Sequence, residues 1–283
     1  MNVNSQPQTR INDWLLDASR ELESVGITSA RLDAEIILSH TLNTPRTYLH
    51  AHNDDMIDAR SEEIANARIA LRSDRVPIAY IIGHKDFYDR KFKVTTATLV
   101  PRPESEELIE VLSDLLPKNH SLFPNETIRL VDVGTGSGIL GITAKLEHPE
   151  LDVTLLDISA PALKVAQINA DRLHADVQTM KSDLLDAYPF RPSIIIANLP
   201  YVDKDWERSP ETNNEPALAL FAADGGKALI KKLVSQASSR LQTRGILILE
   251  ADPTQHADII KHAQSEHFSL LKQQGYCLAL ERD

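Results

Sequence analysis

The chain is poor in several residue patterns, and each shortage removes a class of function. One cysteine, Cys277, stands among 283 residues, which excludes an intrachain disulfide and any multi-cysteine metal site. Its setting, Gly275-Tyr-Cys-Leu-Ala-Leu280, reads as a strand in which the thiol is a small buried hydrophobe rather than a catalytic group. No run of 18 apolar residues occurs, so no membrane-spanning helix is expected. The opening stretch from Met1 to Glu23 lacks a continuous apolar region and a small-residue cleavage site, and the expected location is the cytoplasm. Basic residues are in deficit: 30 Lys and Arg face 41 Asp and Glu, a formal net charge of -11. That balance disfavours a protein that covers many phosphates, so no stable nucleic-acid complex is expected. The ten histidines are scattered without a paired zinc-binding pattern, and no metal site is expected.

What is present is ordinary for a soluble globular protein, with 42% apolar and 25% charged residues. The length suits one substantial core plus a smaller domain. Over residues 1–75 the pattern is helical. Ile11, Trp14, Leu15, Ala18, Leu22 and Val25 recur at helical spacing before Gly26. Ser29 precedes a second stripe at Leu32, Ile36 and Ile37, and a third helix is predicted from Ile57 to Leu71. Residues 76–100 change character: Tyr80-Ile-Ile-Gly83 and Phe92-Lys-Val94 predict two extended segments of a linking hairpin around a turn at Asp89-Arg90.

Across residues 101–283, strands and helices alternate. Strands are predicted at Arg129–Asp132, Val153–Asp157, Val177–Met180, Ser193–Ala197 and Gly245–Glu250. A terminal hairpin is predicted from Ser269–Lys272 and Tyr276–Leu280. Helices are predicted at Ile139–Leu146, after Ser159, and at Gly225–Leu241. Repeated strand–helix units point to an α/β domain with a mostly parallel sheet covered on both faces.

Two stretches carry chemistry. Asp132-Val-Gly134-Thr135-Gly136-Ser137-Gly138 follows a strand and opens a helix, where small residues permit a sharp turn and close approach of a ligand. Its third glycine falls one position earlier than in the dinucleotide fingerprint. This spacing favours a nucleoside cofactor without a pyrophosphate, without excluding nicotinamide or flavin, and a purely structural turn is the plain alternative. Asp157, at the end of the next strand, can accept hydrogen bonds from both ribose hydroxyls or cap the following helix. Asp183 can accept from an adenine amino group and Leu184 can cover an adenine face; the plain alternatives are a surface aspartate and a core leucine.

Asn198-Leu199-Pro200-Tyr201 lies at the carboxyl end of a parallel strand, where ligands meet this architecture. The Asn198 side-chain oxygen and the Leu199 carbonyl can accept the two hydrogens of a substrate NH₂. Pro200 stiffens the loop and Tyr201 can lie against a planar group. A strand exit with Asn198 as a turn former is the bland reading. From the residues alone, the reading reaches a planar nitrogen and an adenosyl methyl donor.

With these motifs stand Ala30-Arg-Leu-Asp-Ala-Glu35, Tyr80–Gly83 with Phe87 and Phe92, and Val100-Pro-Arg-Pro-Glu104. Glu215-Pro-Ala-Leu-Ala-Leu-Phe221 with Asp224-Gly225, and Leu249-Glu250 followed by Gln255, complete the set. In this combination the chain closely resembles the peptide-chain release factor glutamine N5-methyltransferases over nearly its whole length. The resemblance implies a Rossmann-like seven-stranded methyltransferase sheet with a smaller N-terminal all-helical domain of five helices and a hairpin linker. It implies S-adenosylmethionine as cofactor, held near Gly134, Thr135, Gly136, Ser137, Gly138, Asp157 and Asn198, with adenine near Asp183 and Leu184. The substrate motif falls on Asn198, Leu199, Pro200 and Tyr201.

The implied partners are release factors, recognised by the helical domain, with methyl transferred to N5 of the glutamine in their Gly-Gly-Gln motif. Adenine-N6 methylation of nucleic acid and glutamine methylation of a ribosomal protein are the alternatives. The sequence departs from the family pattern at Leu184, where an aromatic residue is common, at Leu199, usually proline, and at Ala251, commonly a polar residue. Pro101-Arg-Pro-Glu104 reads either as a rim over the cofactor or as the start of a capped helix.

Overall fold

A computed structural model describes residues 9–122 and 127–283. The first eight residues of the 1–75 assignment lie outside the described residues. The chain divides into two compact units. One runs to Gly83 and includes Ser209–Asn214, and the other comprises His84–Arg208 and Glu215–Asp283.

The first unit is helical: α1 (Ile11–Ser24), α2 (Ala30–Leu42), α3 (Arg46–Ala51), α4 (Ala59–Ser73) and α5 (Ile78–Ile82). Ile11, Trp14, Leu15, Ala18 and Leu22 line one face of α1 and pack against Ala34, Ile37 and Leu38 of α2 and Ala65 and Ile69 of α4. Each large aliphatic side chain removed from water in this way contributes about 1.5–3 kcal/mol. Three of the larger polar side chains in the unit, Trp14, Asp33 and Arg72, are paired. Trp14 Nε1 donates to Asn66 Oδ1 at 2.7 Å, and Arg72 donates to Asp33 at 2.7 Å and to Glu211 at 3.0 Å.

Two expectations fail here. Tyr80–Gly83 is not extended: it forms most of α5 and its cap. Pro77 stands at the N-cap, and Gly83, at φ 77°, closes the helix in the left-handed region that glycine adopts freely. Ile78 and Ile81 pack on the helical core, so burial decides against the strand propensity of a short isoleucine-rich run. The helix read from Ile57 to Leu71 instead begins at Ala59, after Asp58 caps it by accepting from the Ser61 amide at 3.0 Å.

The second unit opens with the hairpin β1 (His84–Phe87) and β2 (Arg90–Lys93). Its turn residues are Tyr88 and Asp89, one position earlier than expected, and both have positive φ as a tight two-residue hairpin turn requires. A 3₁₀ turn at Pro103–Ser105 then leads into α6 (Glu106–Leu122), so the Pro101–Glu104 stretch does begin a helix.

Beyond it the order is β3 (Arg129–Val133), α7 (Ile139–Glu147), β4 (Asp152–Asp157), α8 (Ala160–Leu173), β5 (Val177–Lys181) and β6 (Ile194–Ala197). There follow α9 (Ala217–Leu220), α10 (Ala228–Arg240), β7 (Ile246–Glu250), α11 (His256–Ser265), β8 (Phe268–Gln274) and β9 (Cys277–Arg282). The seven strands form one sheet in the order β5-β4-β3-β6-β7-β9-β8, with β9 and β8 antiparallel to their neighbours.

Strand alternation divides this sheet cleanly between two cores. Leu130, Ile194, Ile196, Ile246 and Ile248 face the side that includes α6, α7 and α8. Val131, Val133, Ile195, Ala197, Leu247 and Leu249 face the side that includes α10 and α11. The chain leaves β3 toward β4 on one side and returns to β6 on the other, which puts the topological switch point at the carboxyl ends of β3 and β6.

Candidate functional site

Register explains why two motifs far apart in sequence meet. Val133 of β3 pairs with Ala197 of β6, so the next residues, Gly134 and Asn198, emerge side by side at the switch point. Leu249 of β7 pairs with Ala197 as well, which brings Glu250 next to Asn198 from the other side. A cavity at these strand ends is lined by Gly134, Gly136, Asp157, Asp183, Leu184, Asn198, Leu199 and Pro200 among the residues expected from sequence. Thr135, Ser137, Gly138 and Tyr201 are not in that lining.

The glycine loop is held from behind. The Gly134 and Thr135 amides both donate to the Leu156 carbonyl at 2.9 Å, which folds the loop back over β4. Thr135 turns its hydroxyl inward to Asp132 Oδ2 at 2.6 Å, and the Ser137 carbonyl accepts from Asn169 at 2.8 Å. Gly134 sits at φ 73°, and a Cβ there would meet Leu199 Cδ2 at 2.7 Å. The absence of a side chain at Gly134 therefore lets Leu199 of the substrate motif pack directly against the loop.

Asp132 supports the same loop from the core. It is almost wholly buried; its Oδ2 accepts from Thr135 and, at 2.9 Å, from the Gly141 amide, while Oδ1 has no hydrogen-bond partner among the described residues. Burial pushes its carboxyl up to about 6.

Asp157 does not itself cap the following helix; its carboxylate braces the strand end and the loop. Oδ1 accepts from the Ser159 amide at 2.8 Å and Oδ2 from the Gly136 amide at 2.9 Å, so the carboxylate ties β4 to the glycine loop. Ser159 itself caps α8 by accepting from the Ala162 amide. Each Asp157 oxygen retains a lone pair for a ligand hydroxyl. Burial raises its pKa, although the backbone donors oppose that rise. Asp183 reaches the cavity but also pairs with Lys232 at 2.8 Å. Leu184 and Ile158 add apolar walls, one buried and the other well exposed.

The substrate motif is braced through its polar atoms. Asn198 Nδ2 donates to Ser105 Oγ at 3.0 Å, and Ser105 donates to Glu250 Oε2 at 2.5 Å. Tyr201 donates its hydroxyl hydrogen to Glu250 Oε1 at 3.1 Å, and burial beside that carboxylate raises the tyrosine pKa. Burial raises the Glu250 pKa as well, and the hydrogen bonds from Ser105, Tyr201 and Asn198 oppose that rise. Gln255 Nε2 donates to the carbonyls of Tyr201 and Gly225 at 2.8 and 2.7 Å, fixing the loop backbone. A Cβ at Gly226 would collide with the Tyr201 carbonyl, so that glycine permits the close approach. Arg102 and Glu104 stay out of the cavity lining; Arg102 pairs with the buried Glu215, which also accepts from the Val100 amide at 3.0 Å. Ala97, Thr98 and Leu99, just before that segment, supply cavity wall instead.

Sequence reasoning missed Ser105, the role of Glu250, the 97–99 wall and Ile158. Only Glu250 carried a usable signal, as an acid at the carboxyl end of a parallel strand. The arrangement is chemically coherent: an acidic acceptor and apolar walls suit an adenosyl group, and the Asn198 side-chain and Leu199 carbonyl oxygens, which accept from no protein donor among the described residues, suit an NH₂ donor. Among the described residues, no group of three or more His, Cys, Asp or Glu is disposed to hold a metal ion.

Comparison with known proteins points the same way. Residues 13–83 match the family described as the PrmC N-terminal domain, and residues 106–214 match the methyltransferase small domain. The release factor glutamine methyltransferase of Koribacter versatilis is 38% identical over 246 residues, spanning 83% of this chain and 86% of that protein. Its counterpart of the same name from Coxiella burnetii is 34% identical over 261 residues, 91% of each chain. Among solved structures, a methyltransferase from Pyrococcus furiosus aligns with TM-score 0.50 at 16% identity, covering 76% of this chain and 95% of that one, and shares the fold. With relatives matched across both the helical region and the sheet, the chain belongs to the release factor glutamine methyltransferase family.

Proposed function

We propose that this protein transfers a methyl group from S-adenosylmethionine to N5 of the glutamine in the Gly-Gly-Gln motif of peptide-chain release factors. The observation that carries this reading is Asn198. Its amide nitrogen is taken up by Ser105, and its oxygen is left for a substrate at the rim of the Gly134–Asp157 cavity. When bound, S-adenosylmethionine supplies an electrophilic methyl group on a sulfonium sulfur.

The residues of the chain do the rest. Asp157 accepts from the ribose hydroxyls, Leu184 and Ile158 flank the adenine, and Asp183 accepts from its amino group. Gly134 and Gly136 leave room for the methionine portion beside the backbone, while Thr135, Ser137 and Gly138 shape the loop that does so.

On the substrate side, Asn198 Oδ1 and the Leu199 carbonyl accept the two hydrogens of the glutamine NH₂, which aims the nitrogen and fixes its plane. Leu199 replaces a ring with an aliphatic side chain without altering that carbonyl. Pro200 restricts the loop and Tyr201, locked by Glu250, gives a rigid edge. No ionised base is required, because an amide nitrogen becomes acidic as it gains the methyl group and can pass its proton through these oxygens to water. Orientation and close approach therefore provide the main rate advantage.

We assign substrate recognition to the helical region of residues 1–75, connection to the 76–100 segment, and chemistry to residues 101–283. Among the described residues no helix is long and apolar enough to cross a membrane. The acidic net charge supports a cytoplasmic enzyme acting on protein, without a membrane partner or a stable nucleic-acid complex. Labelled methyl transfer to folded release factor, compared in parallel with ribosomal RNA, DNA and ribosomal protein, tests the assignment. Label in release factor alone is the expected result. Label in adenine or in a ribosomal protein would replace the assignment with one of those reactions.

A further inference from the structure

We infer that Glu250 and Ser105 are positioning residues. Together they fix the direction of the hydrogen bonds at Asn198, so that its oxygen faces the substrate and the site selects an amide over a carboxylate. This inference rests on the proposed methylation of glutamine and adds to it the origin of its selectivity for nitrogen.

An ionised carboxylate only accepts hydrogen bonds, whereas a hydroxyl has a single hydrogen to give. Glu250 is 1% exposed and Ser105 is fully buried, so water does not offer an easy substitute for either partner. Ser105 commits its hydrogen to Glu250 Oε2 at 2.5 Å, and Tyr201 commits its own to Oε1 at 3.1 Å. Ser105 Oγ is then an acceptor toward Asn198, which answers with its NH₂ at 3.0 Å. The Ser105 and Tyr201 hydrogens thus both point to one carboxylate, and the Asn198 NH₂ follows through Ser105.

Turning the Asn198 amide over would set its oxygen against the Ser105 lone pairs and the Glu250 charge with no hydrogen between them. The orientation is fixed by charge, not by shape, since the two ends of an asparagine amide are nearly the same size. Asn198 Oδ1 has no protein donor among the described residues. A glutamine side chain can supply the missing NH₂; a glutamate carboxylate would meet oxygen with oxygen. Buried charge is also a poor choice for stability alone, because apolar replacements of buried ionic groups are frequently neutral or stabilising.

Glu250→Gln tests this by keeping the shape and removing the charge. A glutamine at this position can both donate and accept, so it supports either direction of the Ser105 hydroxyl and either orientation of Asn198. Three readouts apply to the full-length protein: solvent exchange of the Asn198 side-chain NH₂ by NMR, calorimetric affinity for S-adenosylmethionine, and single-turnover transfer to release factor. Binding is also compared for release factors carrying glutamine or glutamate in the Gly-Gly-Gln motif.

The variant is expected to fold and to bind the cofactor as the wild type does. Side-chain exchange should accelerate about tenfold or more, and transfer should fall about 10²-fold, the scale expected when a reacting group is misplaced by an ångström. The preference for glutamine over glutamate should narrow. Ser105→Ala, which removes the relay and leaves the carboxylate, should also speed exchange, and serves as the deciding variant if Glu250→Gln does not fold. Slow exchange and intact discrimination in the folded variant would overturn the inference, as would a loss of thermal stability with discrimination unchanged. If the wild type methylates no release factor yet its Asn198 exchange is slow and becomes fast in Glu250→Gln, the proposed substrate falls and the positioning role stands.

Discussion

Asp132→Asn offers a quantitative check on the support beneath the glycine loop. In the folded protein Asp132 is buried, its Oδ1 lacks a partner among the described residues, and its pKa is pushed up to about 6. In the unfolded chain an aspartate titrates near ~3.9. Between these values the folded state retains a proton that the unfolded state has lost. Stability from this group therefore falls as pH rises, beginning near the unfolded pKa and levelling off above the folded one.

A difference of about two pKa units corresponds to about 3 kcal/mol at pH 8, of which roughly half is already expressed at pH 5. Asparagine does not titrate, and its oxygen can take the place of Oδ2 in accepting from Thr135 and Gly141. Denaturant unfolding of both proteins at pH 5 and pH 8 isolates the effect. The stability of Asp132→Asn relative to wild type should rise by about 1–2 kcal/mol from the lower to the higher pH. A difference that does not change with pH, or that changes in the opposite direction, would refute the burial argument for Asp132.

Asp157→Ala should weaken S-adenosylmethionine binding by about 2–4 kcal/mol in calorimetry on folded protein, through loss of the ribose contacts and of the ties to Gly136 and Ser159; unchanged affinity would remove Asp157 from the cofactor site. Asn198→Ala should retain cofactor affinity while single-turnover transfer falls about 10²-fold, equivalent to about 2.7 kcal/mol at the barrier. Asn198→Asp, although a good turn residue, should also be impaired, and full activity in it would reduce Asn198 to a turn former. Gly134→Ala should lower cofactor affinity, because a side chain at φ 73° strains the loop and a methyl group there displaces Leu199, which it would meet at 2.7 Å. Gly83→Ala, with positive φ but open space around it, should cost about 1 kcal/mol of stability and leave cofactor affinity unchanged.

The sheet was legible because buried parallel strands declare themselves: Arg129–Val133, Asp152–Asp157 and Ile194–Ala197 are short apolar runs bounded by turn signals. The glycine loop and the Asn198–Tyr201 stretch were legible because each is contiguous and follows such a strand. Tyr80–Gly83 misled because a four-residue isoleucine-rich run carries no period, and only its packing on the helical core makes it α5. Helix α3 is a single six-residue stretch bounded by Pro45 and His52, too short for an amphipathic pattern. Ser105 was invisible because its partners Asn198 and Glu250 lie 93 and 145 positions away. No local spacing encodes that meeting; it arises from the adjacency of β6 and β7 and from the 3₁₀ turn before α6. The assignment of Ser209–Asn214 to the helical unit is equally non-local, made through Arg72 and Arg75 to Glu211 and through Asn214 to the Arg75 carbonyl.

The central claim is that Asn198 aims a glutamine side-chain nitrogen at the methyl donor. Peptide mapping by tandem mass spectrometry tests it most directly, on folded release factor after a single turnover with isotopically labelled S-adenosylmethionine. One labelled methyl group is expected on the side-chain nitrogen of the Gly-Gly-Gln glutamine with wild-type enzyme, with a loss of about 10²-fold in its rate of appearance with Asn198→Ala. A methyl group on another residue, or undiminished methylation by a folded Asn198→Ala enzyme, would contradict it.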